Sequence, residues 1–159
     1  MSWMKLPKRV ELSDITVRDG FQHEEKWIPT QAKVWIAEEL VLAGYTRLEV
    51  TNLGNPKGMP QFADSDEVLK QVRTSKRIAG KIGEVELTAI TIRERAVDRA
   101  IELKQIGFGP DRILLMVSTS ASHMTKNSGL DHASYWNEAE RCIRKAHDAG
   151  IKVNGTVST

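Results

Sequence analysis

The sequence predicts an α/β fold in which parallel strands alternate with helices. Apolar runs that are typical of buried strands alternate along the 159 residues with segments whose apolar residues recur at the helical period. In three places a predicted helix ends on glycine and an apolar strand follows, as in "AGYTRLEV", "IGFGPDRILLMV" and "AGIKVNGTV". Strands separated by single helices are typical of βαβ units, which build parallel sheets.

Five strands and four helices follow from this alternation. The first helix begins at Thr30, a residue type that caps helices through its hydroxyl, and ends at Gly44. The last helix is capped by Asp131. The predicted strands are 10–17, 46–51, 85–91, 112–118 and 151–157, and the predicted helices are 30–43, 66–78, 93–106 and 131–149.

Two architectures fit these elements. One is an open doubly wound sheet, complete at this length, and the other is the first part of a (β/α)8 barrel, which normally needs about 250 residues. The first strand lacks the G-x-G-x-x-G turn of a dinucleotide-binding sheet, and the sequence stops directly after the fifth strand without a covering helix. We therefore expect an incomplete TIM barrel, with 1–159 as the N-terminal part of a single domain.

Composition limits the functional classes. Hydrophobic residues make up 40% of the chain, which suits one globular domain with a core. The 23 basic and 21 acidic residues are well mixed, so no basic tail or patch favours nucleic acid as a partner. No apolar run suggests a signal peptide or a membrane span. The single cysteine, Cys142, reads as a small core residue and favours a reducing compartment, so we expect a cytoplasmic protein.

Polar side chains cluster at the ends of three predicted strands, where parallel α/β folds place their functional groups. These are Arg18, Asp19, Gln22 and His23 after the first strand, Glu49 within the second, and Ser118, Ser120, Ser122 and His123 after the fourth.

Glu49 is the most informative of these residues. It lies between Leu48 and Val50 in a strand that should be covered on both faces, so its carboxylate must be paired or bound to a metal. One interpretation is a purely structural hydrogen bond to Arg18 or Arg47. For the Arg18-Asp19 pair the alternative is an ordinary solvated turn, and both His23 and His123 read as exposed loop residues.

Four stretches carry a resemblance to a known family. "VRDGFQ" resembles the R-D-G-L-Q signature of the 3-hydroxy-3-methylglutaryl-CoA lyases, which belong to the metal-dependent lyase and synthase barrels of the pyruvate carboxyltransferase type. "LEVTNLGNPKGMPQFADSDEVL" resembles their I-E-V-T-S-F-x-S-P-K-x-x-P-Q stretch. "STSASHMTKNSG" is similar to their A-S-E-x-F-S-K loop, and "VNGTVST" to their R-G-Y-V-S strand. The order and the spacing agree along nearly the whole chain.

The resemblance implies a role for each residue of the first two motifs. Asp19 matches a carboxylate ligand of a divalent metal, Mg or Mn. Arg18 matches the arginine that holds the substrate carbonyl oxygen and the developing enolate, and Glu49 the glutamate that orders that arginine. Gln22 matches the signature glutamine, and we group it with the catalytic residues. Lys57 lies in the stretch that approaches the acyl-CoA.

The third motif implies two further substrate-binding residues, Ser122 and His123. The chain also departs from the family at the third predicted strand, which ends in Ile90-Thr91 where the family commonly has Pro-Asn. The family's His-x-His pair, asparagine ligand and catalytic cysteine loop have no counterpart here, and Cys142 does not match that cysteine. We expect these remaining ligands beyond Thr159.

The resemblance therefore implies a metal-dependent carbon–carbon lyase that cleaves a 3-hydroxy-3-methylglutaryl-CoA-like thioester to acetyl-CoA and a keto acid. Three alternatives stay open: an acyl- or carboxyl-transferring relative, a non-catalytic half-barrel that binds a partner, and a truncated product. An unfinished barrel exposes two sheet edges, so we expect a homo-oligomer.

Overall fold

Four parallel strands form one sheet in the computed structural model, which describes residues 6–158. The strands are β1 (Arg47–Asn52), β2 (Glu86–Ile90), β3 (Arg112–Ser118) and β4 (Lys152–Ser158), and they lie in the order β1-β2-β3-β4. Each matches a predicted strand to within one residue at either end. A sequential all-parallel order is that of a (β/α)8 barrel and differs from the order of a doubly wound sheet, so the structure confirms the barrel interpretation.

The predicted first strand, residues 10–17, is wrong as a strand. Only Asp14 pairs with β1: its N–H donates to Arg47 O at 3.1 Å, and its carbonyl accepts from Glu49 N at 2.8 Å. Immediately afterwards the Asp14 carboxylate captures the Thr16 N–H at 2.8 Å, and the chain winds into one π-helical turn, Thr16–Gly20. Local bonding by the aspartate side chain thus replaces the ladder that the apolar pattern predicted.

Five helices cover the sheet or connect its strands. Four of them lie at predicted positions, and the fifth, α4, follows β3 where a loop was expected. They are α1 (Thr30–Leu42), α2 (Ser65–Thr74), α3 (Glu94–Gln105), α4 (Ala121–Ser128) and α5 (His132–Asp148). No helix within residues 6–158 has the length and the apolar character that crossing a bilayer requires.

The helix ends agree with the sequence in part. The glycines after α1, α3 and α5 have φ values of 100°, 85° and 68°, so all three predicted glycine stops are confirmed. Asp131 caps α5 by accepting the Ser134 N–H at 2.7 Å. Thr30 does not cap α1, because its hydroxyl donates instead to Asp64 at 2.7 Å. The predicted helix 66–78 ends early at Thr74, and a short 3-10 turn completes it.

The main hydrophobic core lies between the sheet and helices α1, α2, α3 and α5. Leu48, Leu87 and Ile113 are completely or almost completely buried and come from neighbouring strands. Cys142 on α5 packs in the same core, as its position predicted, and burial raises the pKa of its thiol to about 11. A cysteine with this pKa is protonated at neutral pH, which suits a packing role.

A cluster of ion pairs joins the N-terminal ends of the four strands. The Glu86 carboxylate lies 3.0 Å from Arg47 Nε, 2.7 Å from Arg112 Nε and 2.7 Å from Lys152 Nζ. These four residues are the first residues of their strands. The hydrogen bond from Arg112, together with that from Lys152, lowers the pKa of Glu86 to about 2. One carboxylate therefore links the N-terminal ends of all four strands.

Replacing Glu86 by glutamine should remove a pH-dependent part of the stability. The folded-state pKa, about 2, lies below the ordinary value of 4.5, so the carboxylate stabilises the fold fully above pH 4.5 and progressively less as the pH falls towards 2. We expect Glu86→Gln to lower the free energy of unfolding by roughly 2 kcal/mol at pH 7. This is less than the whole pKa shift would give, because solvent screens the partly exposed cluster. Urea unfolding between pH 2 and 7 measures this.

Glu140→Gln is the matched control, since Glu140 forms an exposed pair with Arg144 on one helix face. It should change the stability by less than about 0.5 kcal/mol. Equal pH profiles for Glu86→Gln and the wild type would contradict the assigned role of Glu86.

Candidate active site at the strand ends

A buried ion pair between Arg18 and Glu49 forms the centre of the candidate site. Arg18 Nε and Nη2 both donate to Glu49 Oε2, at 2.9 and 2.7 Å. The two side chains are only 12% and 14% exposed. Arg47, the other partner that the sequence allowed, binds Glu86 and Glu11 instead. The pairing of Arg18 with Glu49 is therefore confirmed, and the solvated-turn interpretation is wrong.

Two backbone irregularities place this pair. Arg18 belongs to the π-helical turn, which Val17 anchors by inserting its fully buried side chain into the core. Glu49 lies at a shift in the pairing register of β1 with β2, between Glu49 and Thr51. Bulges of this kind re-aim a side chain and occur often beside active sites. The turn and the bulge together bring the guanidinium and the carboxylate face to face.

Asp19 and Gln22 complete the group around the guanidinium. Arg18 Nη1 donates to Asp19 Oδ1, and it lies 3.4 Å from Gln22 Oε1. The Asp19 side chain is 44% exposed, as a ligand that faces a cavity would be. Asp19 is thus both accessible and paired, because Arg18 bonds to it. Arg18 thus contacts Asp19, Gln22 and Glu49 at once.

The donor set around Asp19 fits a hard divalent cation only in part. A half-exposed carboxylate at the open end of a parallel sheet is a suitable oxygen ligand for Mg or Mn. Within residues 6–158, however, no group of three or more His, Cys, Asp or Glu side chains is placed to hold a metal ion. One aspartate cannot define a coordination geometry. Asp19 can therefore be one ligand of such a site and needs others.

A cleft of about 340 Å³ lies beside this group, between residues 22–27 and residues 58–62. Its walls are mixed: Gln22 and Glu24 are polar, whereas Trp27 and Phe62 are apolar. Lys57 is exposed and directly precedes the second wall. An elongated ligand that carries both apolar and charged parts suits such a cleft.

Ser122 and His123 lie apart from the arginine group, in the first turn of α4 rather than in a loop. His123 Nδ1 is 3.1 Å from Ser118 Oγ, and its Nε2 is 2.8 Å from Asn127 Nδ2. Ser122 Oγ is 3.1 Å from Ser120 Oγ. Both residues are exposed at the C-terminal end of β3. Among the described residues, no hydrogen bond joins Ser122 or His123 to Arg18 or Glu49.

The departure at the end of β2 has a structural consequence. Ile90 and Thr91 are both buried, and the Thr91 backbone N–H donates to Leu114 O at 3.0 Å. The Thr91 hydroxyl is directed to the same carbonyl at 3.5 Å. Neither side chain therefore offers a free polar group at the strand end, where the family commonly presents an asparagine.

Two buried polar residues, Lys33 and Gln61, were not predicted from the sequence: Gln61 lines the cleft, and Lys33 donates to its backbone carbonyl. Lys33 is 2% exposed, and its ammonium lies 2.7 Å from Asp64 Oδ1. A signal was present, because Lys33 occupies the same face of α1 as the buried Ala37 and Val41, where an apolar residue is normal. A lysine on such a face needs polar partners, and these come from residues distant in sequence.

Comparison with protein families gives one match that covers nearly the whole chain. The model of the HMGL-like family matches residues 9–159. The rat mitochondrial hydroxymethylglutaryl-CoA lyase is 27% identical over 153 residues, which are 96% of this chain and 43% of the rat protein. The Bacillus subtilis hydroxymethylglutaryl-CoA lyase YngG is 24% identical over 156 residues, 98% of this chain and 48% of the relative. The chain thus spans less than half the length of these relatives.

Solved structures with the same fold include two HMG-CoA lyases. The B. subtilis enzyme has a TM-score of 0.84 at 24% identity, over 98% of this chain and 48% of the enzyme. The A. baumannii enzyme, determined in complex with coenzyme A and 3-methylmalate, has a TM-score of 0.79 at 22% identity, over 92% of this chain and 44% of the enzyme. At these identities the likeness establishes the fold, which is that of a partial TIM barrel.

A double-mutant cycle should detect the Arg18–Glu49 pair as a strong coupling. Removing either partner leaves a poorly solvated charge without its counter-ion, so Arg18→Ala and Glu49→Ala together should cost less than the sum of the two single changes. We expect a coupling energy of about 1–3 kcal/mol from urea unfolding.

The exposed pair Arg144 and Glu140 supplies the control cycle, with a coupling of about 0.5 kcal/mol or less. Additive effects of Arg18→Ala and Glu49→Ala would show that the two side chains do not depend on each other.

Proposed function

We propose, because this chain belongs to the HMGL-like family, that residues 1–159 are the N-terminal part of a metal-dependent carbon–carbon lyase. The substrate is a 3-hydroxy-3-methylglutaryl-CoA-like thioester, and the products are acetyl-CoA and a keto acid. The observation that carries the proposal is the Arg18 guanidinium, which Glu49 holds at the C-terminal edge of a parallel sheet beside an accessible Asp19. The rat and B. subtilis relatives named above are both hydroxymethylglutaryl-CoA lyases, which supports the reaction class.

Arg18 has the geometry to stabilise negative charge that develops on oxygen. Glu49 engages Nε and Nη2, which fixes the plane of the guanidinium and leaves Nη1 directed to Asp19 and Gln22. The Nη1 edge is therefore where the carbonyl oxygen of the thioester would be held. A fixed cation at this point stabilises the enolate that forms when the carbon–carbon bond breaks. Gln22 can donate an amide N–H to the same substrate.

Asp19 would hold the divalent metal, Mg or Mn, as one of several ligands. The bound cation supplies Lewis acidity, which polarises the hydroxyl and carbonyl oxygens of the substrate. Residues 6–158 lack the remaining ligands. We assign these to the portion of the relatives' length that this chain does not span, in line with the His-x-His pair and the asparagine that the family resemblance implies.

The acyl-CoA is assigned to the cleft and to the end of β3. Lys57, which is exposed and directly precedes the second wall, can bind phosphate or carboxylate groups, and Trp27 and Phe62 offer apolar walls to the rest of the thioester. Ser122 and His123 would form the opposite side of the substrate site. The complex of the A. baumannii relative with coenzyme A and 3-methylmalate supports this ligand class.

A second candidate follows from the end of β2. Because Ile90 and Thr91 are buried and present no free polar group, the acyl part recognised here can differ from methylglutaryl. An acyl- or carboxyl-transferring relative of the same superfamily would keep Arg18, Asp19 and Glu49 and change this position. A non-catalytic half-barrel is a further alternative. A cytoplasmic location is part of the proposal in all three cases.

Turnover requires both halves of the site, so we expect residues 1–159 alone to show no metal-dependent cleavage. This chain has the same fold as 48% of the B. subtilis lyase. We define the complemented enzyme as residues 1–159 co-expressed with the rest of that lyase. In it, Arg18→Ala should lower kcat by about a thousandfold. Asp19→Asn should raise the Kd for Mn²⁺ at least about tenfold, because a neutral amide replaces the carboxylate ligand.

Arg144→Ala on the exposed face of α5 is the control and should leave both values unchanged. Thioester cleavage by residues 1–159 alone would contradict the assignment of ligands outside this chain. A complemented enzyme that binds coenzyme A without turnover would favour the non-catalytic alternative.

The free edge of β4 supports the proposal of a homo-oligomer. Within residues 6–158, β4 pairs only with β3, and Val157 on it is 66% exposed. An unpaired edge with an exposed apolar side chain favours association. Val157→Lys should therefore convert oligomers to monomers in sedimentation velocity. Ile106→Lys, at an equally exposed position after α3, should not, and a monomeric wild-type chain would contradict the proposal.

A further inference from the structure

Lys33 is a buried cation that the proposed chemistry does not use. Its ammonium donates to the Gln61 carbonyl and to Asp64 Oδ1, the latter at 2.7 Å, and it lies 3.9 Å from the centre of the Trp27 ring. Asp64 also accepts from the Thr30 hydroxyl at 2.7 Å. Every partner of this ammonium belongs to one of the two walls of the cleft or to the residues directly beyond them.

Gln61, in the wall formed by residues 58–62, contacts the backbone of the opposite wall and of the residue that follows it. Its Nε2 donates to the carbonyls of Glu24 and Lys26, at 2.8 and 2.6 Å. Its Oε1 accepts the N–H of Ile28 at 3.2 Å. The amide therefore uses both its donor and its acceptor on the backbone of the first wall, while the Gln61 backbone carbonyl accepts from Lys33.

Stability alone does not account for this arrangement. A buried ion pair contributes little net stability, since the loss of hydration offsets most of the attraction, and apolar residues of similar volume often do as well. What the contacts provide is a fixed geometry: a side-chain amide that satisfies three backbone groups of another segment holds that segment in one register. Gln22 belongs to the first of the walls held in this way, and Lys57 directly precedes the second.

We propose that Lys33 and Gln61 are positioning residues that clamp the two walls of the cleft together, and so set the spacing between Gln22 and Lys57 for binding of the thioester. Neither side chain touches the reacting atoms. This inference rests on the proposed function in one respect, namely that the cleft binds the acyl-CoA. It predicts that loosening the clamp weakens substrate binding and spares the chemical step, which belongs to Arg18.

The test uses two clamp variants, each with a matched control. Lys33→Met keeps the length of the side chain and removes the ammonium; Lys70→Met is its control, because the Lys70 ammonium lies over Phe108, at 5.9 Å, outside the cleft. Gln61→Glu removes both donations of the amide; Gln71→Glu is its control, because Gln71 donates to Glu67 on exposed helix surface. Gln61→Glu also keeps the test valid if Lys33→Met fails to fold.

The first measurement is amide hydrogen exchange of Ile28 in residues 1–159. Both clamp variants should accelerate it about five- to tenfold, because each loses hydrogen bonds that hold the two walls together, even though an oxygen that accepts the Ile28 N–H stays in place. The second is steady-state kinetics of the complemented enzyme. The clamp variants should raise KM for the thioester about tenfold with kcat within about twofold of wild type, because they lose binding shared by ground and transition states. The control variants should change neither value.

Unchanged exchange at Ile28, or faster exchange with unchanged KM, would overturn the proposal. A fall in kcat equal to the change in kcat/KM would also overturn it, because the clamp would then act on the chemical step. If the wild-type complemented enzyme shows no turnover, the proposed function has failed. The clamp is then tested separately, by the Kd of coenzyme A for residues 1–159. A Kd raised by both clamp variants supports the clamp, whereas an unchanged Kd or no binding overturns it.

Discussion

The charge on Glu49 is the constraint around which the candidate site is organised. A carboxylate inside a parallel strand that is covered on both faces cannot remain without a cation. Arg18 provides that cation with two nitrogens on one oxygen, and the chain before β1 must turn tightly for the guanidinium to arrive there. The π-helical turn and the bulge in β1 are the two backbone features through which this electrostatic requirement is met. Asp19, the next residue, and Gln22, one helical turn further on, both reach the same guanidinium.

The two ends of the sheet hold charge in different ways. At the N-terminal end, Glu86 is surrounded by three cations, its pKa is about 2, and the whole arrangement is saturated with partners. At the C-terminal end, Arg18 is shared among three acceptors, and Asp19 stays accessible. The first arrangement stabilises the strands, whereas the second leaves a carboxylate that further ligands can join. This asymmetry is what a barrel needs if only one of its ends binds substrate.

The sequence predicted what depends on local pattern and on simple electrostatics. The bounds of β1 to β4 followed from apolar runs after glycine-terminated helices, and the Arg18–Glu49 pair followed from a carboxylate in a buried strand. The first strand could not be excluded in this way, because its loss depends on one side chain, Asp14, binding the next turn. Helix α4 was missed because it is mostly polar and has few buried residues. Lys33 and Gln61 were missed because their partners are backbone carbonyls of distant segments, which no residue pattern reveals.

The charges at the open end of the sheet bear on the kind of substrate that the proposed site can accept. Arg18 carries one positive charge, whereas Asp19 and Glu49 together carry two negative ones, so this group by itself repels an anion such as a carboxylated acyl-CoA. A divalent cation at Asp19 would reverse the sign and would also compete with Arg18 for the aspartate. The Nη1 edge of the guanidinium would then be available to a substrate oxygen. On this argument a metal at Asp19 and an anionic substrate would each favour binding of the other at the proposed site.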